Sequence, residues 1–165
     1  MDTRNLVTAT ILSICIATTL GAQAPAKTTS ASVTPAAHVM LSPADLKWGP
    51  APPVLPAGAQ VAVLDGDPFK PGFYSLRLKM PDGYKIPPHF HPTDEIVQVK
   101  KGTFLVGMGD TFDAAKTNAM KVGEKGTVPA QMHHFAMAKV ATTVSVSAMG
   151  PFAMTYVNPA DNPQK

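Results

Sequence analysis

Apolar and polar residues alternate along several short segments of the chain after residue 60. In the clearest of these, "FYSLRLKM", the residues Tyr74, Leu76, Leu78 and Met80 alternate with polar or charged ones. Residues two apart in a strand point to the same face, so this period predicts strands with one buried face and one wet face. No long apolar stripe at helical spacing follows, and segment 110–118 offers one helical turn, capped by its first aspartate. The pattern predicts an all-β sandwich or barrel.

Proline content separates this β-rich region, residues 59–165, from the chain before it. Residues 27–58 combine a small, polar leader with an arm that carries five prolines from residue 38 onward. Such a composition opposes helices and inner strands and favours disorder in the leader. We expect three apolar residues to pack the arm on the domain: Leu41, Leu46 and Trp48.

The first 26 residues have the pattern of an export signal. Arg4 precedes the apolar run 6–20, and small residues follow, so that cleavage is expected after Ala24 or Ala26. The alternative is an uncleaved membrane anchor, but the run is shorter than the about 20 residues that a span needs. We therefore expect a periplasmic or secreted protein with no stable membrane anchor after cleavage.

Cysteine and charge exclude several kinds of chemistry. Cys15 is the only cysteine and lies within the predicted signal, so the mature protein should contain neither disulfides nor thiolate ligands. The net charge of +3 comes mainly from scattered lysines, with only two arginines. Nucleic-acid surfaces gather Lys and Arg into stripes, so a nucleic-acid partner is not expected.

Candidate metal ligands occur in "GYKIPPHFHPTDEIVQVKKG", residues 83–102. His89 and His91 project to the same face of a strand, and Glu95 begins the next apolar run. Imidazole nitrogen and carboxylate oxygen are common ligands of divalent transition metals. The alternative is a surface loop that happens to hold two histidines. A second segment, residues 123–138, contains a further histidine pair.

The first segment resembles the first motif of the cupin superfamily, G-x5-H-x-H-x3-E-x6-G. It matches at every position of the motif: Gly83, His89, His91, Glu95 and Gly102. The second segment resembles the second cupin motif less fully, with Gly123 and Pro129 in place and His134 at the histidine position. Gln131 and Ala138 replace the glycine and asparagine of that motif, which puts the tight turn before the histidine in question.

The resemblance implies a double-stranded β-helix, the cupin jelly-roll barrel, preceded here by the proline-rich arm. It also implies one divalent metal, for which Zn, Mn, Fe, Ni and Cu are the candidates. The implied ligands are His89, His91, Glu95 and His134. His133 is expected on the opposite, solvent-facing side of the strand, although a shift in register would make it the ligand instead. His38 lies in the arm and is expected to be inert.

Inward-facing residues of such a barrel would enclose an apolar cavity that suits a small, mostly apolar molecule with a chelating oxygen pair. Glu95 is the candidate catalytic base, in which role it would leave the metal, and Tyr84 or Tyr156 could supply a proton. A structural role is the alternative for each of the three. The expected wall residues are Tyr74, Leu76, Leu78, Phe104, Val106, Met108 and Met149, with Ala136 and Ala138 leaving space.

Two functions of different classes fit these expectations. The first is a metal-dependent enzyme, either a dioxygenase that cleaves a flavonol- or diketone-like chelate or a lyase or isomerase. The second is a non-catalytic periplasmic protein that senses or stores a metal or small ligand. A purely structural barrel of the seed-storage type is disfavoured by the intact first motif. We expect a small-molecule partner and, because cupins usually pair, a homodimer.

Overall fold

The structure, a computed structural model, describes residues 42–165. The predicted signal peptide, the predicted leader and residues His38 and Leu41 of the arm lie outside the described residues. No helix in the described part of the chain is long and apolar enough to cross a membrane.

The alternating segment forms a long strand, as its pattern predicts. Tyr74, Leu78 and Met80 are buried, whereas Phe73 and Lys79 on the opposite face are exposed. The neighbouring strand pairs with it over nine residues and alternates in the same way. Because the apolar residues of both strands point to one side, together they form half of the hydrophobic core.

Eleven strands lie within the described residues, and every paired strand is antiparallel to its neighbour. In chain order they are β1 (Gly49–Pro50), β2 (Gln60–Asp65), β3 (Gly72–Met80), β4 (Lys85–Phe90), β5 (Glu95–Lys101), β6 (Thr103–Met108), β7 (Thr117–Lys121), β8 (Lys125–Val128), β9 (His134–Ala138), β10 (Thr142–Gly150) and β11 (Thr155–Tyr156). Three 3₁₀ turns accompany them at Pro43–Asp45, Ala114–Lys116 and Pro159–Asp161.

The strands form two sheets, and the chain passes repeatedly from one to the other. The six-stranded sheet has the order β1-β2-β3-β10-β5-β8, and the five-stranded sheet has the order β11-β4-β9-β6-β7. From β3 onward, successive strands alternate between the sheets except at β6 and β7. This path is that of a jelly-roll barrel, which confirms the predicted fold class. The core contains buried side chains from both sheets, including Leu78, Val99, Phe104 and Val144.

The predicted helical turn is present, but its cap differs from the prediction. The 3₁₀ turn Ala114–Lys116 is capped by Asp113, whose carboxylate accepts a hydrogen bond of 3.0 Å from the Ala115 N–H. Asp110, the expected cap, instead lies against His133. The turn therefore begins behind Asp113, three residues later than expected, because Asp113 accepts the hydrogen bond from the free N–H of Ala115.

Gly102 of the first motif has a structural role in the fold. It connects β5 to β6 with φ +79°, and an added Cβ would lie 2.7 Å from the Ala141 carbonyl oxygen. Only glycine combines this left-handed conformation with such a close approach of the backbone. The tight turn allows the chain to leave one sheet and enter the other directly.

The described part of the arm lies against the barrel through hydrogen bonds at several points. Gly49 and Pro50 pair with the edge of β2, and the Ala51 N–H donates to the Ala59 carbonyl over 3.1 Å. The Tyr84 hydroxyl donates to the Pro56 carbonyl, and the Tyr156 hydroxyl donates to the Val54 carbonyl over 2.7 Å. Both tyrosines are buried. The arm is therefore bonded to residues of both sheets.

We predict that Tyr84→Phe lowers the free energy of unfolding by about 1–2 kcal/mol, because the Pro56 carbonyl loses its donor. Urea denaturation measures this change. Tyr74→Phe is the matched control, since no described residue hydrogen-bonds the Tyr74 hydroxyl, and it should change the value by less than about 0.5 kcal/mol. Equal losses from the two variants would show that the bond to the arm contributes nothing.

Candidate metal centre

Three buried histidines from two neighbouring strands and a loop meet at one point of the barrel. His89 on β4 lies directly opposite His134, the first residue of β9, and His91 follows just after the end of β4. His89 and His134 are each 3% exposed, and His91 is 8% exposed. The register of β4 and β9 therefore brings the histidines of the two motifs together, although 43 residues separate His91 from His134 in the numbering.

Each of the three rings is oriented by a backbone carbonyl that faces its Nδ1. The distances are 2.7 Å from His89 to the Pro87 oxygen, 2.8 Å from His91 to the Ala153 oxygen and 2.9 Å from His134 to the Met132 oxygen. A carbonyl can only accept a hydrogen bond, so each Nδ1 carries the proton. In the neutral form of each ring, Nε2 is then the nitrogen with the lone pair, and a hydrogen bond from Nδ1 of this kind orients metal-binding histidines.

The ligand atoms of these rings converge. One nitrogen from each histidine lies within 4.8 Å of those of the other two. Nε2 of His91 is buried and has no hydrogen-bond partner in the described structure. A buried nitrogen without a partner is costly, and a metal ion bound by the three converging rings would be a natural partner for this one.

Glu95 approaches the same point from the opposite sheet, where it begins β5. One carboxylate oxygen lies 3.7 Å from Nε2 of His91, and the other lies 3.7 Å from Nε2 of His134. Its side chain is 17% exposed. The structure thus places all four residues of the predicted ligand set around one point, and their N₃O donor set fits a divalent transition metal.

The charges of the cluster also suit a cation. Burial, together with the neighbouring His134 and His91, lowers the pKa of His89 to about 3, so its ring is neutral near pH 7. Burial raises the pKa of Glu95, but the three facing histidines outweigh it and the pKa lies below its ordinary value. An ionised carboxylate therefore lies beside the neutral ring of His89, and both groups are in the protonation state in which they bind metals.

The turn before His134 is preserved even though its glycine is absent. Gln131 adopts φ 62°, the left-handed conformation that glycine adopts most easily. Its N–H donates to the His91 carbonyl over 2.8 Å, and Asp94 accepts from the Ala130 N–H over 2.8 Å. These bonds join the two ligand-bearing loops, so they hold a conformation that costs a non-glycine residue about 1–2 kcal/mol.

His133 lies outside the cluster. Its Nδ1 is 2.6 Å from Asp110 on the surface, and its ring stacks on Phe90 at a centroid distance of 4.9 Å. His133 immediately precedes His134, whose side chain points inward, so the alternation of the strand directs His133 to the outside. The register therefore offers His134, and not His133, to the metal centre.

The four residues line a cavity of about 110 Å³ between the sheets. Its wall is almost wholly apolar, and Tyr74 is the one polar side chain in it besides the candidate ligands. Six of the predicted wall residues line it: Tyr74, Leu76, Leu78, Phe104, Val106 and Ala136.

Three predicted wall residues do not line the cavity. Met149 is 52% exposed because it lies on the outer face of β10, opposite the exposed Phe73 of β3. Met108, the last residue of β6, is 50% exposed. Ala138 is fully buried in the core below the cavity wall.

Several wall residues were missed because no strand period includes them. Pro52 and Leu55 come from the arm, Phe69 from the β2–β3 loop, and Phe152 and Met154 from the β10–β11 connection. Loop residues carry no periodic signal, and their place follows from long-range contacts alone. Only the apolar character of "PFAM", residues 151–154, could have suggested burial.

Comparison with known proteins places the fold. No family model matches the sequence, and no curated protein matches it either. Among solved structures, a candidate acetylacetone dioxygenase from Methylibium petroleiphilum PM1 matches with TM-score 0.59 and 20% identity, over 79% of this chain and 88% of that chain. KdgF from Halomonas sp. matches with TM-score 0.53 and 18% identity, over 71% of this chain and 96% of the other.

An RmlC-like cupin from Shewanella frigidimarina NCIMB 400 gives the same TM-score, 0.53, at 13% identity, over 68% of this chain and 91% of that chain. Likeness at this level of identity establishes the fold. The described chain has the fold of the cupin superfamily, as its first motif predicted, and three of its buried histidines are placed so that they could bind a metal ion.

We predict that His91→Ala weakens metal binding by at least about 10- to 100-fold, the range that loss of an outer-shell partner of a ligand already produces. His133→Ala, the matched control one residue from His134, should leave metal binding within about two-fold of the wild type. Elemental analysis of protein loaded with Zn²⁺ and then dialysed gives the comparison. Equal loss from both variants would contradict the ligand assignment.

Proposed function

We propose that the protein holds one divalent metal on His89, His91, Glu95 and His134 and acts through it on a small, mostly apolar molecule that chelates through oxygen. The observation that carries this proposal is the convergence of one nitrogen from each of three buried histidines, together with one carboxylate, on an apolar cavity. Dioxygenase-like chemistry is the first candidate, and lyase or isomerase chemistry uses the same site. Bound there, the metal would supply Lewis-acid activation of the chelating oxygens or a place for oxygen chemistry.

The size of the cavity restricts the ligand. Its volume of about 110 Å³ is well below the about 300–1,000 Å³ typical of pockets for drug-sized molecules. This favours a molecule of diketone size over one as large as a flavonol. The likeness to a candidate acetylacetone dioxygenase agrees with this choice but supports the fold alone.

Tyr74 is suited to contact the oxygen of a bound molecule. It is buried, lines the cavity, and has no hydrogen-bond partner for its hydroxyl among the described residues. Burial, with a smaller effect from Glu95, raises the pKa of Tyr74 to about 12, so the hydroxyl keeps its proton near pH 7. It can therefore donate a hydrogen bond to a ligand oxygen, an interaction of the kind that stabilises developing charge.

Glu95 is the proposed catalytic base once it leaves the metal, because its lowered pKa keeps it ionised near pH 7 and it is the only carboxylate among the described residues that line the cavity. Tyr84 and Tyr156 are not suited to supply a proton, because their hydroxyls donate to carbonyls of the arm. The cavity wall beside the carboxylate is apolar, and such surroundings strengthen its interaction with a bound molecule. Proton transfer within the cavity is thus limited to Glu95 and Tyr74.

One observation favours the alternative function, non-catalytic binding of a metal or small ligand. Among the described residues that line the cavity, only the candidate ligands and Tyr74 have titratable side chains. A binding protein needs no further acid or base, whereas many enzymes do. Oxygen uptake distinguishes the two functions.

For the dioxygenase, we expect metal-loaded protein to consume oxygen with acetylacetone and not with a flavonol, measured with an oxygen electrode across a set of loaded metals. Tyr74→Phe should keep its metal and lose about 10²–10³-fold in rate, as removal of one well-placed donor does. Phe135→Leu, a change in the core outside the cavity wall, serves as control and should retain the rate within about ten-fold. Tight stoichiometric Zn²⁺ without oxygen uptake for any metal would instead favour the binding function.

The proposed location is the periplasm or the exterior of the cell, and it rests on the pattern of residues 1–26. Expression of the full chain in a bacterium should yield protein from the periplasm whose N-terminus begins at Pro25 or Lys27, after cleavage behind Ala24 or Ala26. N-terminal sequencing or intact mass measures this. Recovery of the intact chain with the membrane fraction would support the anchor instead.

A further inference from the structure

A second recess lies on the outer face of the six-stranded sheet, away from the cavity between the sheets. It has a volume of about 440 Å³ and is formed where the arm crosses the sheet. We refer to it as the outer groove. Its lining residues are Ser42, Leu46, Trp48, Leu64, Arg77, Lys100, Lys101 and Thr143.

The outer groove contains three cationic side chains and no carboxylate among its lining residues. Cross-strand register places Lys101 on β5 beside Thr143 on β10, which in turn lies beside Lys79 on β3. Arg77 lies two residues before Lys79 on the same face of β3, so the cations come from adjoining rows of one sheet face. Long side chains from such positions can reach a common point.

Arg77 forms no ion pair with any described residue. It is half-buried, its Nη1 is fully buried, and that atom has no hydrogen-bond partner in the described structure. The ion pairs of lysine among the described residues are Lys70 with Asp67 and Lys116 with Asp113, neither of which lies in the groove. Asp45 is the acidic residue of the described arm nearest in sequence to the groove wall. Its carboxylate accepts hydrogen bonds from the N–H and the hydroxyl of Ser42, over 2.9 and 2.6 Å.

A guanidinium without an acceptor is unfavourable, and an oxyanion in the groove would accept hydrogen bonds from the accessible donors of Arg77. The planar guanidinium presents its donors in the geometry of a carboxylate or phosphate, while the two lysines add point charges. The Thr143 hydroxyl adds a neutral donor. Trp48 is already covered on one face by the Lys79 amine, 4.0 Å from its ring centroid, so it borders the site rather than stacking on a ligand.

We propose that the outer groove binds a small oxyanion, such as a phosphate or carboxylate group, on Arg77 with Lys100 and Lys101. This site is separate from the proposed metal centre and does not depend on it. The chemistry shared by its ligands is a compact group of oxygen atoms with one or more negative charges.

Trp48 is the single tryptophan of the chain, and it borders the groove, so its fluorescence reports binding directly. Sodium phosphate and sodium citrate are titrated separately, each against sodium chloride at equal ionic strength. We expect a saturable change for at least one of the two anions, and its identity shows which group the site prefers. No saturable change beyond that of chloride, for either anion, would overturn the proposal.

Variants locate the binding. Arg77→Gln should weaken it by about 10-fold or more, as expected for loss of a hydrogen bond to a charged group. Lys125→Gln removes one charge from the neighbouring strand β8, outside the groove. This variant should change the affinity for the anion by less than about two-fold. Equal weakening by the two variants would mean a general charge effect and contradict the site.

Two further variants keep the test decisive. Lys101→Gln, at an exposed position, should also weaken anion binding more than Lys125→Gln does. It replaces Arg77→Gln as the test variant if Arg77→Gln does not fold. His91→Ala should bind the anion as the wild type does, since a phosphate held by a metal would disappear with the metal. Loss of the fluorescence change in His91→Ala would overturn the outer groove as its source.

Discussion

The three histidine rings can be buried side by side because a backbone carbonyl accepts a hydrogen bond from Nδ1 of each. Without those carbonyls, each buried ring would leave a donor without a partner. With them, the rings cannot rotate, and every Nε2 faces the same small volume. Two of the carbonyls, at Pro87 and Met132, belong to residues two positions before the histidine they hold, whereas the third, at Ala153, comes from the β10–β11 connection.

The jelly-roll path explains why this point becomes a site rather than part of the core. His89 and His134 belong to one sheet and Glu95 to the other, so the four residues span the gap between the sheets. The apolar faces of the same sheets form the walls beside them, and the arm and the β10–β11 connection complete the enclosure. A metal bound there would link both sheets, and its binding energy would add to the stability of the folded state.

Local patterns predicted much of this arrangement. The alternation around Tyr74 and Leu76 identified the strands, and the spacing of His89, His91 and Glu95 identified three of the four residues that meet. The wall was predicted less well. Met149 was predicted to line the cavity because it is apolar. It lies instead on the outer face of β10, beside the exposed Phe73, and is exposed despite its hydrophobicity. Residues from the arm and loops could not be predicted at all, since no repeating period relates them to the cavity.

By itself, the sequence determined the all-β class, the positions of the main strands, and a set of residues with the chemistry of a metal site. These properties depend on the spacing of residue types over short segments, which can be read directly from the sequence. Only the tertiary structure decided that His134 rather than His133 faces the site and that Ala153 orients His91. It also decided that Nη1 of Arg77 is buried with no partner among the described residues. Each of these depends on the register between distant strands or on the path of a loop, which is set by packing across the whole barrel.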